Sequence, residues 1–139
     1  MTLRVLAVED SPTQAAALLA ALEAGGYHVT EARSGEDALR VLAAEPVDMV
    51  VSDIVMPGTV DGYELCRQLK QERPGVPVIL LTSLSDPMDI IRGLEAGADN
   101  FLTKPYTPEH LLERLGVLLA TRRDRTRSAS SPLRASLTS

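Results

Sequence analysis

Five short apolar runs, each followed by a helix-patterned segment, constrain this chain more than anything else in it. Residues 3–8 (LRVLAV), 27–32, 48–52, 76–82 (VPVILLT) and 99–103 have the length and β-branched content of strands, and 76–82 is the most apolar, which predicts a central position. The intervening helices are predicted at 12–24, 36–44, 63–72, 88–96 and 108 to about 123. Ser11-Pro12 supplies a cap and a proline at the first helical position, and Gly25-Gly26, Pro74-Gly75 and Gly97 supply stops. The inward candidates are Ala16, Leu19 and Leu22 on the first helix, Ala38, Leu39 and Leu42 on the second, and Leu65 and Leu69 on the third. The fifth presents Leu111, Leu112, Leu115, Leu118 and Leu119. Strand and helix alternating with short connections lead to a doubly wound, five-stranded parallel α/β sheet.

In such a sheet, chemistry collects beyond the C-terminal ends of the strands. The first strand ends in Glu9-Asp10, the third in Asp53, the fourth in Thr82-Ser83 and the fifth in Lys104. Three carboxylates gathered at one edge repel unless a cation lies between them. Oxygen ligands of this kind suit Mg²⁺, which keeps several waters and shares the rest of its shell with a phosphate. A lysine and a hydroxyl beside the ion would orient phosphoryl oxygens, and an aspartate can act as the nucleophile.

The 139 residues suffice for one domain, predicted over 1–122. From 123 to 139 the chain turns basic and Ser-rich, with too little apolar area to order itself, so a disordered tail or linker is expected. The net charge is −5 and no basic face gathers before residue 122, so no direct nucleic-acid binding is expected. The single Cys66 excludes an internal disulfide and a Cys-rich zinc site and reads as a small core residue. His28 and His110 lack metal-ligand spacing. No apolar run approaches the ~20 residues of a membrane span, and acid arrives too early for a signal peptide, so the expected location is cytoplasmic.

The motifs VED (8–10), SDIVMPG (52–58) with DG (61–62), LLTS (80–83) and LTKPY (102–106) together resemble the receiver domain of two-component response regulators. The resemblance covers about residues 3–120, and AGADNFLTKPY (96–106) is close to receivers found in or beside hybrid histidine kinases. It implies a flavodoxin-like fold with strand order 2-1-3-4-5. It implies that Asp53 is the phosphoacceptor, that Asp10 binds Mg²⁺ directly and Glu9 through water, and that the Val55 carbonyl completes the protein ligands. Thr82 and Lys104 would each pair with a phosphoryl oxygen, Phe101 would be the aromatic switch, and the peptide between Lys104 and Pro105 would be cis. The implied partner is a sensor histidine kinase or histidine phosphotransfer protein. The implied output is a changed surface on the fourth helix, fifth strand and fifth helix, through which many receivers also dimerise. Such a domain catalyses its own modification and is not a turnover enzyme.

Two departures from the family pattern stand out. The family reads MPxMDG where this chain reads MPGTVDG, a loop one residue longer in which Val60 replaces the usual Met. Val55 and Leu84, two residues after Asp53 and Thr82, are apolar, from which slow to moderate autodephosphorylation is expected.

Three rivals are weighed against this reading. An Asp-nucleophile phosphatase commonly carries a second Asp where this chain has Val55. A flavin or nucleotide module needs a phosphate-cradling loop after the first strand, where Glu9-Asp10 would repel phosphate. A phosphorylation-independent interaction receiver is the third, and it would not require the full set of site residues found here.

Overall fold

The computed structural model describes residues 2–83 and 86–129. Its elements run β1 Arg4–Val8, α1 Pro12–Ala24, β2 His28–Ala32, α2 Gly35–Ala44, β3 Met49–Asp53, α3 Gly62–Glu72, β4 Val78–Thr82, α4 Pro87–Glu95, β5 Asn100–Thr103 and α5 Pro108–Ala129. The five strands form one parallel sheet in the order β2-β1-β3-β4-β5.

Side-chain alternation along the central strands divides the core into two layers. Val5, Ala7, Met49, Val51, Ile79 and Leu81 face α1 and α5, meeting Leu18, Leu22, Leu111 and Leu115. Leu6, Val8, Val50, Val78 and Leu80 face the other way, against Leu42 of α2 and Leu65 and Leu69 of α3. Each fully buried leucine contributes about 1.5–3 kcal/mol relative to exposure. The most apolar run, β4, is buried at all five positions and lies between β3 and β5, whereas β2 at the edge exposes His28 and Glu31. Cys66 is fully buried in the second layer.

Side-chain oxygens start each helix. Ser11 accepts from the Gln14 N–H, Ser34 from Asp37, Asp61 from Glu64, Asp86 from Met88, and Thr107 from His110. Below the sheet, Asp99 Oδ2 lies 2.6 Å from Lys70 Nζ and accepts the Val78 N–H at 2.8 Å, tying α3 to the chain that leads into β5.

Two expectations need correction. The buried face of α1 is Ala15, Leu18, Ala21 and Leu22, while Ala16 is exposed and Leu19 only half-buried. The sequence PTQAAALLAALEA is apolar nearly all round, so its periodicity leaves the phase of the helix undetermined. The fifth helix also continues to Ala129, past its expected end near Arg123. Extending a helix already nucleated on a packed leucine stripe costs little, and arginine is a good helix former. The remainder of the expected tail, 130–139, lies outside the described residues.

Candidate phosphoacceptor and metal site

The parallel order brings the ends of β1, β3, β4 and β5 to one edge. Glu9, Asp10 and Asp53 meet there, each offering a carboxylate oxygen within 4.8 Å of the other two. Glu9 is buried, Asp53 half-buried and Asp10 exposed. Register explains the meeting: Val8 pairs with Ser52, so the residues that follow, Glu9 and Asp53, leave adjacent strands at the same level.

Lys104 reaches this cluster from the end of β5. Its ammonium lies 3.0 Å from Asp53 Oδ1 and 3.0 Å from Glu9 Oε2, and donates to Gln14 Oε1 at 2.6 Å. The peptide between Lys104 and Pro105 is cis. Burial pushes the Glu9 carboxyl above its ordinary value, against the lowering effects of the Ser11 N–H and the lysine. Burial also pulls the Lys104 ammonium downward, but its hydrogen bonds to Asp53 and Glu9 outweigh that, and its pKa ends above that of an ordinary lysine.

The donor set fits a hard divalent cation. All three groups are carboxylates, with no nitrogen or sulfur ligand among them. Three carboxylates against one ammonium leave a formal surplus of two negative charges when all are ionised (three minus one).

A cleft of about 760 Å³ opens beside Asp53. It is lined by Gln14, Ala17 and Ala21 of α1, by Ile54 and Val55 after β3, by Leu81, Thr82 and Ser83 at the end of β4, and by Lys104, Pro105, Tyr106 and Pro108 after β5. Thr82 is buried at 2 % exposure, and Val55 is 66 % exposed at the rim. Burial raises the Tyr106 phenol above its ordinary pKa. Phe101 is half-buried and rests on Gly93 of α4, so closely that a Cβ on that glycine would come 2.3 Å from the ring. Leu84 lies outside the described residues.

Each candidate named from sequence at the strand ends thus reaches this edge. His28 and His110 are exposed and take no part. Gln14 was not anticipated. Its signal is its place, in the first turn of α1 and so on the turn that faces the strand ends.

The loop 54–61 contributes Ile54 and Val55 to the cleft. Its base is closed by the Gly62 N–H donating to Ile54 O at 2.8 Å, and Gly62 fits because a Cβ there would come 2.4 Å from Asp53 O. Met56 and Val60 anchor it in the core, and Gly58, with φ +92°, turns the chain toward α2.

The response regulator receiver domain family matches residues 5–116. The alkaline phosphatase synthesis transcriptional regulatory protein PhoP of Bacillus subtilis is 35 % identical over 134 residues, covering 96 % of this chain and 55 % of PhoP. Response regulator MprA of Mycolicibacterium vanbaalenii is 39 % identical over 119 residues, covering 86 % of this chain and 51 % of MprA. The chain therefore spans about half the length of the curated relatives it matches. Among solved structures, the signal receiver domain of a signal transduction histidine kinase from Syntrophus aciditrophicus is 47 % identical, with a TM-score of 0.79, over 85 % of this chain and 90 % of that one. A CheY-like receiver domain protein from Methanospirillum hungatei is 28 % identical, with a TM-score of 0.85, over 90 % and 99 %.

Proposed function

The chain belongs to the response regulator receiver domain family, and from that membership we propose that Asp53 is its phosphoacceptor. Phosphoryl transfer to an aspartate is the general function of these domains in two-component signalling. Receiver domains bind Mg²⁺ through acidic residues and interact with histidine kinases.

Asp10, Asp53 and the Val55 carbonyl would hold Mg²⁺ directly, with Glu9 acting through water. Mg²⁺ held by these residues would supply charge neutralisation at the phosphoryl oxygens. An Asp53 carboxylate oxygen attacks phosphorus, an O–P bond forms, and the P–N bond to the donor histidine breaks, its electron pair staying on the imidazole. Lys104 pairs with the carboxylate beforehand and with a phosphoryl oxygen afterwards, so the cation is in place before the charge moves. The Thr82 hydroxyl bonds a second phosphoryl oxygen, and Phe101 follows it inward. Output then passes through the surface of α4, β5 and α5, where Met88, Ile91, Leu94 and Val117 are exposed, to a downstream protein or a second receiver. The domain modifies itself and does not turn over a substrate.

One observation carries the reading: a single lysine bridges Asp53 and Glu9 inside a cluster of carboxylates at the C-terminal edge of a parallel sheet. The test is intact mass after incubation with acetyl phosphate, with and without Mg²⁺, on the wild type and Asp53→Asn. A gain of one phosphoryl group that needs both the ion and Asp53 is expected. No gain in a folded, Mg²⁺-binding protein would reject phosphoacceptor chemistry in favour of phosphorylation-independent partner binding.

A further inference from the structure

We infer that Glu36, in the first turn of α2, is a positioning residue for the metal-binding loop: it holds the lengthened connection after Asp53 so that the Val55 carbonyl is presented to the ion. The inference rests on the metal-site reading above. An acidic residue in a first helical turn ordinarily serves its own helix, by complementing the partial positive charge there. Glu36 also reaches across to another segment. Its Oε2 accepts the Thr59 N–H at 3.3 Å, and its carboxylate covers Gly58, where a Cβ would come 2.2 Å from the same oxygen. Beside it, Gly35 lies so close to Val60 that a Cβ would meet the Val60 carbonyl oxygen at 2.2 Å. Three consecutive loop residues, Gly58, Thr59 and Val60, are thus fitted to the start of α2. Glu36 Oε1 is buried without a hydrogen-bond partner among the described residues, while Oε2 takes the Thr59 N–H at the surface, so one side of the half-buried carboxylate is turned into the packed loop.

The connection leans toward α2 and is fixed at its base by Ile54 and Gly62, in the core by Met56 and Val60, and on α2 by Gly58 and Thr59 against Glu36. Val55 lies on the span between those fixed points. A carbonyl held in place before the ion arrives spares the ordering cost that a free loop would take from binding. Glu36 touches no reacting atom, so its effect falls on ion affinity.

The experiment is Mg²⁺ titration by calorimetry on the full chain, with Glu36→Ala, Glu36→Gln and Asp10→Asn beside the wild type, together with unfolding midpoints and amide exchange at Thr59. Partners one shell beyond a metal's ligands typically cost 10–100-fold when lost, so for this more remote residue Glu36→Ala is expected to weaken Mg²⁺ binding about 3- to 10-fold, and Glu36→Gln, which keeps an acceptor for the Thr59 N–H, by about twofold or less. The wild-type Thr59 amide is expected to be protected and to exchange faster in Glu36→Ala. Wild-type affinity in Glu36→Ala while Asp10→Asn loses binding would overturn the role of Glu36 and leave the metal site standing. Equal losses in Glu36→Ala and Glu36→Gln would overturn it too, by making charge rather than the tether responsible. Wild-type affinity in Asp10→Asn would reject the metal-site reading itself, and the inference with it. If Glu36→Ala does not fold, an unprotected Thr59 amide in the wild type is sufficient to overturn the inference.

Discussion

Lys104 Nζ stands 3.0 Å from Asp53 Oδ1, and the same ammonium stands 3.0 Å from Glu9 Oε2. One cation from the end of β5 therefore holds two carboxylates, one just beyond β1 and one at the end of β3. Lys104→Met leaves the acids facing one another. The loss is expected to be about 2 kcal/mol of unfolding free energy in metal-free buffer. Added Mg²⁺ should narrow the gap to wild type, because the ion takes over part of the same neutralisation. Urea unfolding with EDTA and with Mg²⁺ checks this; a gap indifferent to the ion would contradict it.

Glu9 gives a pH dependence of definite sign. Burial raises its folded-state pKa, so just above the unfolded value the native chain holds a proton that the unfolded chain has released. More protons on the native state mean that stability falls as pH rises through that window. Glu9→Gln should remove that component. The check is the difference in unfolding free energy between wild type and Glu9→Gln from pH 4 to 7 without metal, which should move in favour of Glu9→Gln as pH rises.

Two glycines should respond oppositely to alanine. Gly62 has the Asp53 carbonyl oxygen at 2.4 Å and Ile54 Cα at 2.7 Å from an added Cβ, both backbone atoms that cannot swing aside. Gly62→Ala is expected to cost about 2–3 kcal/mol and to disturb Mg²⁺ binding, since it pushes on the Asp53 backbone. Gly116, exposed in the middle of α5, has nothing within 4 Å. Gly116→Ala should stabilise by about 0.5–1 kcal/mol through helix propensity alone. Denaturant midpoints decide both.

Cys66 should be silent toward thiol reagents in the native state. It is fully buried, and burial pushes its thiol up to about 11. At pH 8 the side chain is protonated and out of reach, so modification by an aromatic disulfide reagent is expected to track unfolding in denaturant. Rapid modification without denaturant would show that α3 opens locally.

Sequence and structure part company for physical reasons. The strand ends were legible because a parallel sheet brings every C-terminal tip to one edge, so Glu9, Asp53, Thr82 and Lys104 could be stacked without coordinates. The phase of α1 was not, because PTQAAALLAALEA offers no polar face to fix it. Gln14 and Glu36 were missed for a different reason. Their partners, Lys104 and Thr59, are far along the chain, and no local pattern encodes a contact across 90 or 23 residues. The continuation of α5 to Ala129 was missed because composition reports the lack of a core-facing stripe, while helix propagation needs only a packed start.

The seat of Phe101 on Gly93 has a practical side. The chain contains one Phe and no Trp. Uniform incorporation of a fluorinated phenylalanine therefore places a single ¹⁹F nucleus at the junction of α4 and β5 without any mutation. One resonance then belongs to the ring on its glycine, and under the proposed switch a second is expected to grow in with acetyl phosphate. Their intensities, read from one spectrum, give the two populations directly.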